Sequence, residues 1–188
     1  MLEIKTMAKI ILETAIKIKN DYINMKQEDK NIINWWLGSI ILQKLKGDIR
    51  RDWYGLVSLG WIILCRDGIT DESRDHINGR TFVGQTIMEK VTEGCSISDI
   101  RDIIVKAQKF VILEKKSKDG TSPNFKRSNK QDSLDKLPYD TFKDIGITLV
   151  KLDHKQRCAC SRGDKEEINK ILQSINSNPS MIYSDKDD

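Results

Sequence analysis

Three prolines, four alanines, two histidines and four cysteines are all that 188 residues contain, and aromatic side chains make up 6%. Each shortage excludes something. Cysteines at 65, 95, 158 and 160 are too few and too unevenly spaced for a secreted disulfide framework. A reducing, cytoplasmic setting is therefore expected, with Cys65 a buried free thiol. No apolar run reaches the roughly 20 residues a membrane helix needs. The longest nearly uncharged stretch, Trp53 to Cys65, has 13 residues. The opening MLEIKTMAKIILETAIKIKN is broken throughout by charge and has no small-residue cleavage site, so no signal peptide is expected. Gly84, Gly94 and Gly120 do not assemble into a phosphate loop.

What is present is isoleucine, 27 copies against the four alanines, together with abundant Lys, Asn and Asp. That bias fits an AT-rich genome, such as that of a virus, a mycoplasma or some protists. Hydrophobic residues at 38% against 32% charged residues support a core, though a polar one. A net charge of +4 spreads no strong field over the whole molecule, so any basic function must sit in a local patch.

Periodicity predicts a mainly α protein: a compact multi-helix N-terminal domain with a small α+β C-terminal appendage, a hairpin plus a helix. Leu2, Ile4, Met7, Ala8, Ile11, Ala15, Ile18, Tyr22 and Met25 recur at three and four, the pattern of an amphipathic helix. A second helix is expected from about Glu28 to Lys46 and a third from Asp48 through Cys65. A short one follows the Asn78-Gly79 turn. Another opens at Ser98 and Asp99, its apolar face running from Ile100 to Val111. Residues 1–115 make the expected helical domain and 116–138 a flexible basic linker. The hairpin and helix occupy 139–176, and an acidic, disordered tail covers 177–188.

All four tryptophans lie between Ile33 and Cys65. On a third helix, Trp53, Val57, Trp61 and Leu64 would share a face, which favours a core role for that pair. Trp35 and Trp36 are adjacent and so turned about 100° apart on a helix. Both cannot hide on one stripe, which makes them candidate partner-binding residues.

Between Lys106 and Lys130, eight basic residues face only Glu114 and Asp119, a local excess of +6. Such a segment attracts polyanions by Coulomb force and counterion release. Lys115, Lys116, Lys118, Lys126, Arg127 and Lys130 are the candidate phosphate contacts, with Phe125 a candidate stacker. Anionic lipid would be attracted in the same way.

His154, Cys158 and Cys160 spell H-x3-C-x-C, suitable zinc ligands but one short of the four a structural site takes. In a hairpin, Cys158 and Cys160 would point to one face. His76 among Asp71, Glu72 and Asp75 has no nucleophile to serve. The expectation is a non-enzymatic accessory or structural protein, of viral type, without cofactor. It would bind RNA or a ribonucleoprotein through the basic segment. The alternatives are a matrix-like protein on an anionic membrane surface and a module that binds a host protein. A homo-oligomer is compatible with each.

Overall fold

The computed structural model of the chain describes residues 3–44, 53–77, 79–115, 134 and 142–184. The fold is mainly α with a small α+β part: among the described residues there are seven α-helices and one four-stranded mixed sheet. Two compact units divide these residues. The first holds 3–44, 76–77, 79–109 and 134; the second holds 53–75, 110–115 and 142–184. The backbone thus enters each unit more than once, where the sequence suggested one break near residue 115.

The first unit is built from α1 (Ile4–Asn24), α2 (Gln27–Lys44), α4 (Arg80–Glu93) and α5 (Ile97–Ala107). The expected stripe of α1 buries Met7, Ala8, Ile11 and Ala15. They meet Leu37 and Ile41 of α2, Ile87 and Met88 of α4, and Ile100 and Ile104 of α5 in one core. Capping sets the boundaries of α5. Ser96 accepts from the Asp99 backbone N–H while the Asp99 carboxylate accepts from that of Ser96. Those bonds to Ser96 hold the Asp99 carboxyl below its ordinary range. The helix stops at Ala107 rather than running on to Val111. Gln108 caps it, and its buried amide donates to the Ile41 carbonyl oxygen at 3.0 Å.

Helices α2 and α4 touch backbone to backbone. A Cβ placed on Gly38 would lie 1.9 Å from the Arg80 carbonyl oxygen, and one on Gly84 1.9 Å from that of Asn34. Two glycines on facing helices leave no room for any side chain at the crossing.

The second unit contains β1 (Trp53–Ser58), α3 (Leu59–Arg66), β2 (Glu72–His76) up to Asp75, β3 (Phe110–Glu114), β4 (Leu149–Lys151), α6 (His154–Arg162) and α7 (Lys165–Ser177). Strand order is β2-β3-β1-β4, with β1 parallel to β3 and antiparallel to β4. Between Trp53 and Val57 the register with β3 slips, and Gly55 at φ +81° sits within the slip, a conformation that favours glycine. Val57, Phe110, Ile112 and Val150 of the sheet cluster with Trp61, Ile62 and Cys65 of α3, Cys160 of α6 and Ile168, Ile171 and Ile175 of α7.

Two expected elements change type. The helix expected from Asp48 through Cys65 is instead β1 followed by α3, joined at Ser58; residues 45–52 lie outside the described residues. An all-apolar run fits a buried strand as well as a buried helix, and WYGLVS carries glycine with aromatic and β-branched residues. Ser58 caps α3 by accepting from the Trp61 N–H at 3.1 Å, and its own hydroxyl donates to the Glu114 carboxylate. The expected C-terminal hairpin is strand β4 followed by helix α6. Its signals are the Asp153/Gln156 capping box and the left-handed Gly163 stop. In place of a tail beginning at 177, Pro179–Met181 form a 3-10 turn, Ile182 bridges Val150, and the Tyr183 N–H donates to the Leu149 carbonyl oxygen at 2.9 Å.

The glycine crossing gives the sharpest stability test. Gly38→Ala and Gly84→Ala each improve helix propensity by about 1 kcal/mol. Each also forces a methyl onto a backbone oxygen, and overpacking costs about 1–3 kcal/mol or more. A methyl 1.9 Å from a backbone oxygen falls at the costly end of that range, so in urea titrations both variants are expected to lose about 2 kcal/mol net. An unchanged midpoint would contradict the crossing.

Candidate functional site

The first unit places its tryptophan pair on the surface. Trp35 is 50% and Trp36 46% exposed, and Ile32, one turn earlier, is 66% exposed. The spacing i, i+3, i+4 puts all three on one outward face. That face exists because the opposite one is taken: Asn34, Leu37 and Ile41 are buried on the same helix, and Gly38 lies against α4. The Tyr22 hydroxyl donates to the Asn34 side-chain oxygen at 3.0 Å, which further fixes the rotation of α2 about its axis. The Arg80 guanidinium lies 5.9 Å from the centre of the Trp35 ring, a cation–π brace that orients one indole and leaves its other side in water. Glu28 and Asp29 in the first turn of α2 supply the opposite charge at the other end of the face. Half-exposed, the two rings leave on the order of 200 Å² of apolar area in water, a gross gain of about 5 kcal/mol on burial. Ordering and association costs subtract from that.

Both members of the Trp35/Trp36 pair are therefore exposed, where sequence spacing required it of only one. Ile32 was missed in sequence, although its position one turn before the pair was the available signal. Trp61 is fully buried and Trp53 partly so, both packed in the second unit's cluster.

Of the basic candidates, Lys115 is exposed at the end of β3. Lys116, Lys118, Phe125, Lys126, Arg127 and Lys130 lie outside the described residues.

The C-x-C pair does not share a face. On α6, residues 158 and 160 are turned about 200° apart: Cys160 is buried in the core and Cys158 is half-buried beside His154. The His154 Nδ1 and Cys158 Sγ, at i and i+4, are 3.6 Å apart. Among the described residues no group of three or more His, Cys, Asp or Glu side chains could hold a metal.

The second unit also carries a cation–aromatic cluster that sequence reading did not find. Nη2 of Arg74 and Nη2 of Arg157 lie 2.6 and 3.5 Å from the same Glu72 oxygen. Arg157 stacks 5.3 Å from the Trp53 ring centre and Arg74 5.5 Å from that of Phe110. This network ties β2 and α6 to β1 and β3, and the shared carboxylate already occupies both cations. Glu72 and Arg157 are 85 residues apart in sequence, too far for any local motif.

A half-open cavity of about 650 Å³ lies along α4 and α5 in the first unit, floored by Phe82, Ile103 and Leu134. Its rim mixes both signs, and Lys90 pairs with Glu93 at 2.8 Å. Cys95 borders it, its thiol pushed up by burial and by the Asp99 carboxylate.

No family model matches the chain, and neither a curated protein nor a solved structure matches it.

The thiols generate a prediction. Burial pushes Cys65 up to about 12, with help from Cys160 and Glu72, and Cys160 up to about 11. Both stay neutral in the folded chain while the unfolded chain ionises near 9.0. Their contribution to stability is whole below pH 9.0 and is lost as pH rises through about 11 and 12. Urea midpoints across this range should fall less steeply in Cys65→Val than in the native chain; parallel slopes would contradict the burial. A thiol-specific dye at pH 8 should label Cys95 and Cys158 and spare Cys65 and Cys160 until the chain unfolds.

Proposed function

We propose that the protein works by binding rather than catalysis, as an interaction module that docks another protein on the outer face of α2. The observation that carries this reading is the exposure of Ile32, Trp35 and Trp36 side by side on a helix whose other face is committed to the core. Indole rings are the residues most enriched among the anchors of protein interfaces, because they bring large area at small entropic cost. The charges around the face define the partner's chemistry. It offers an apolar cleft or helix, with basic groups toward Glu28 and Asp29 and acidic groups toward Arg80.

Crosslinking through a photoreactive residue at Ile32 would identify the partner, and binding would then be rebuilt from purified components. Trp36→Ala is expected to weaken binding about 30-fold, the scale of a 2 kcal/mol anchor, while circular dichroism and thermal midpoint stay unchanged. Affinity that survives in the Trp35→Ala, Trp36→Ala double variant would sink the proposal.

A second reading rests on charge. The +6 excess that begins before the exposed Lys115 supports RNA or a ribonucleoprotein as a further partner. Affinity for labelled RNA should then fall steeply with salt, and replacing Lys126, Arg127 and Lys130 by Gln should flatten that slope. Affinity indifferent to salt would rule this reading out.

A further inference from the structure

We propose, resting on the reading of the outer face of α2 as an interface, that its occupant is a second copy of the chain, set antiparallel across a two-fold axis. Glu28 and Asp29 stand exposed in the first turn of α2, and Ile32, Trp35 and Trp36 follow in the next two turns. Exposed Arg80 lies beyond them, its backbone against Gly38 and its guanidinium 5.9 Å from the Trp35 ring centre. Along the helix the order is acid, apolar, base. At about 1.5 Å per residue, roughly 14 Å of helix separates the acidic pair from Gly38.

Such an order is its own complement. A partner for this face needs an apolar centre, a base opposite Glu28 and Asp29, and acids opposite Arg80. The same face, turned through half a revolution about an axis normal to α2, offers each of these. With the axis between Ile32 and Trp36, Ile32 lies across Trp36 of the second copy, and Trp36 lies across its Ile32. Each Arg80 then approaches the acidic turn of the other α2, and the two helix dipoles oppose. A parallel arrangement would set acid on acid and Arg80 on Arg80, which like-charge repulsion disfavours. A two-fold contact uses one surface twice, so it closes at two chains and doubles every favourable pair.

Area sets the strength. The two half-exposed indoles and Ile32 present on the order of 300 Å² per copy, and the charged rim adds to it. Even doubled, this lies below the roughly 1,600 Å² of a standard interface. The contact is therefore reversible, with a micromolar dissociation constant, and chain concentration decides the state.

The test exchanges charge between copies of the full chain, followed by sedimentation velocity over a concentration series reaching several hundred micromolar. The native chain is expected to pass from monomer to dimer. Trp36→Ala, which the symmetry counts twice, is expected to stay monomeric with unchanged circular dichroism. Two charge-reversed variants, Glu28→Lys with Asp29→Lys and, separately, Arg80→Glu, should each lose the dimer when alone, since each sets like against like. Mixed in equal amounts they should recover it, because one pair of contacts is then reversed in sign and the other is native. A native chain that stays monomeric throughout, or variants that fail to recover the dimer on mixing, would overturn the proposal. The docking reading is judged apart from it: if the native chain is monomeric while Ile32 crosslinks to a different protein that Trp36→Ala loses, the face is an interface and a second copy is not its occupant.

Discussion

The close approach of α2 and α4, with Gly38 against the Arg80 backbone and Gly84 against that of Asn34, governs what the first unit shows to solvent. With a Cβ excluded from both positions, α2 and α4 meet at backbone distance, and that approach fixes the rotation of α2 about its own axis. Asn34, Leu37 and Ile41 turn inward as a result. Everything else follows from helical periodicity: Ile32, Trp35 and Trp36 have only the outer face left to occupy. The exposed Ile32, Trp35 and Trp36 face is thus a by-product of a packing constraint one turn away.

In the second unit the equivalent constraint is the pairing of β1 with β3. It recruits Glu114 to the start of α3, where the Ser58 hydroxyl donates to it while accepting from the Trp61 N–H. One serine thereby ends a strand, starts a helix and neutralises part of the cost of a half-buried carboxylate. Gly60 belongs to the same arrangement, since a Cβ there would lie 2.7 Å from a Glu114 carboxylate oxygen. The cluster beneath it contains two thiols, Cys65 and Cys160, which behave as small apolar residues.

Legibility in the sequence varied with the reach of the responsible interaction. The stripes of α1 and α7 were readable because burial follows a period of 3.6 residues within one segment. Helix α6 carried a readable capping box at Asp153 and Gln156 and a glycine stop at Gly163, so the expected hairpin was an avoidable misreading. Strand β1 was another matter. Trp53, Val57 and Trp61 satisfy helical spacing, and what makes Trp53–Ser58 a strand is β3 beginning at Phe110 and β4 at Leu149. The Arg74–Glu72–Arg157 cluster was equally out of reach, because it joins residues far apart in the chain.

By itself the sequence determined the mainly α character, the amphipathic faces of α1, α5 and α7, the local concentration of positive charge and the need for one of two adjacent tryptophans to face outward. These are properties of short windows, set by side-chain spacing and charge. Only the tertiary structure decided that both indoles are exposed and that residues 53–58 pair as a strand. It also decided that Cys158 turns toward His154 while Cys160 turns into the core. Each of these depends on which distant backbone comes within contact distance, and that is the outcome of packing the whole unit rather than of any segment within it.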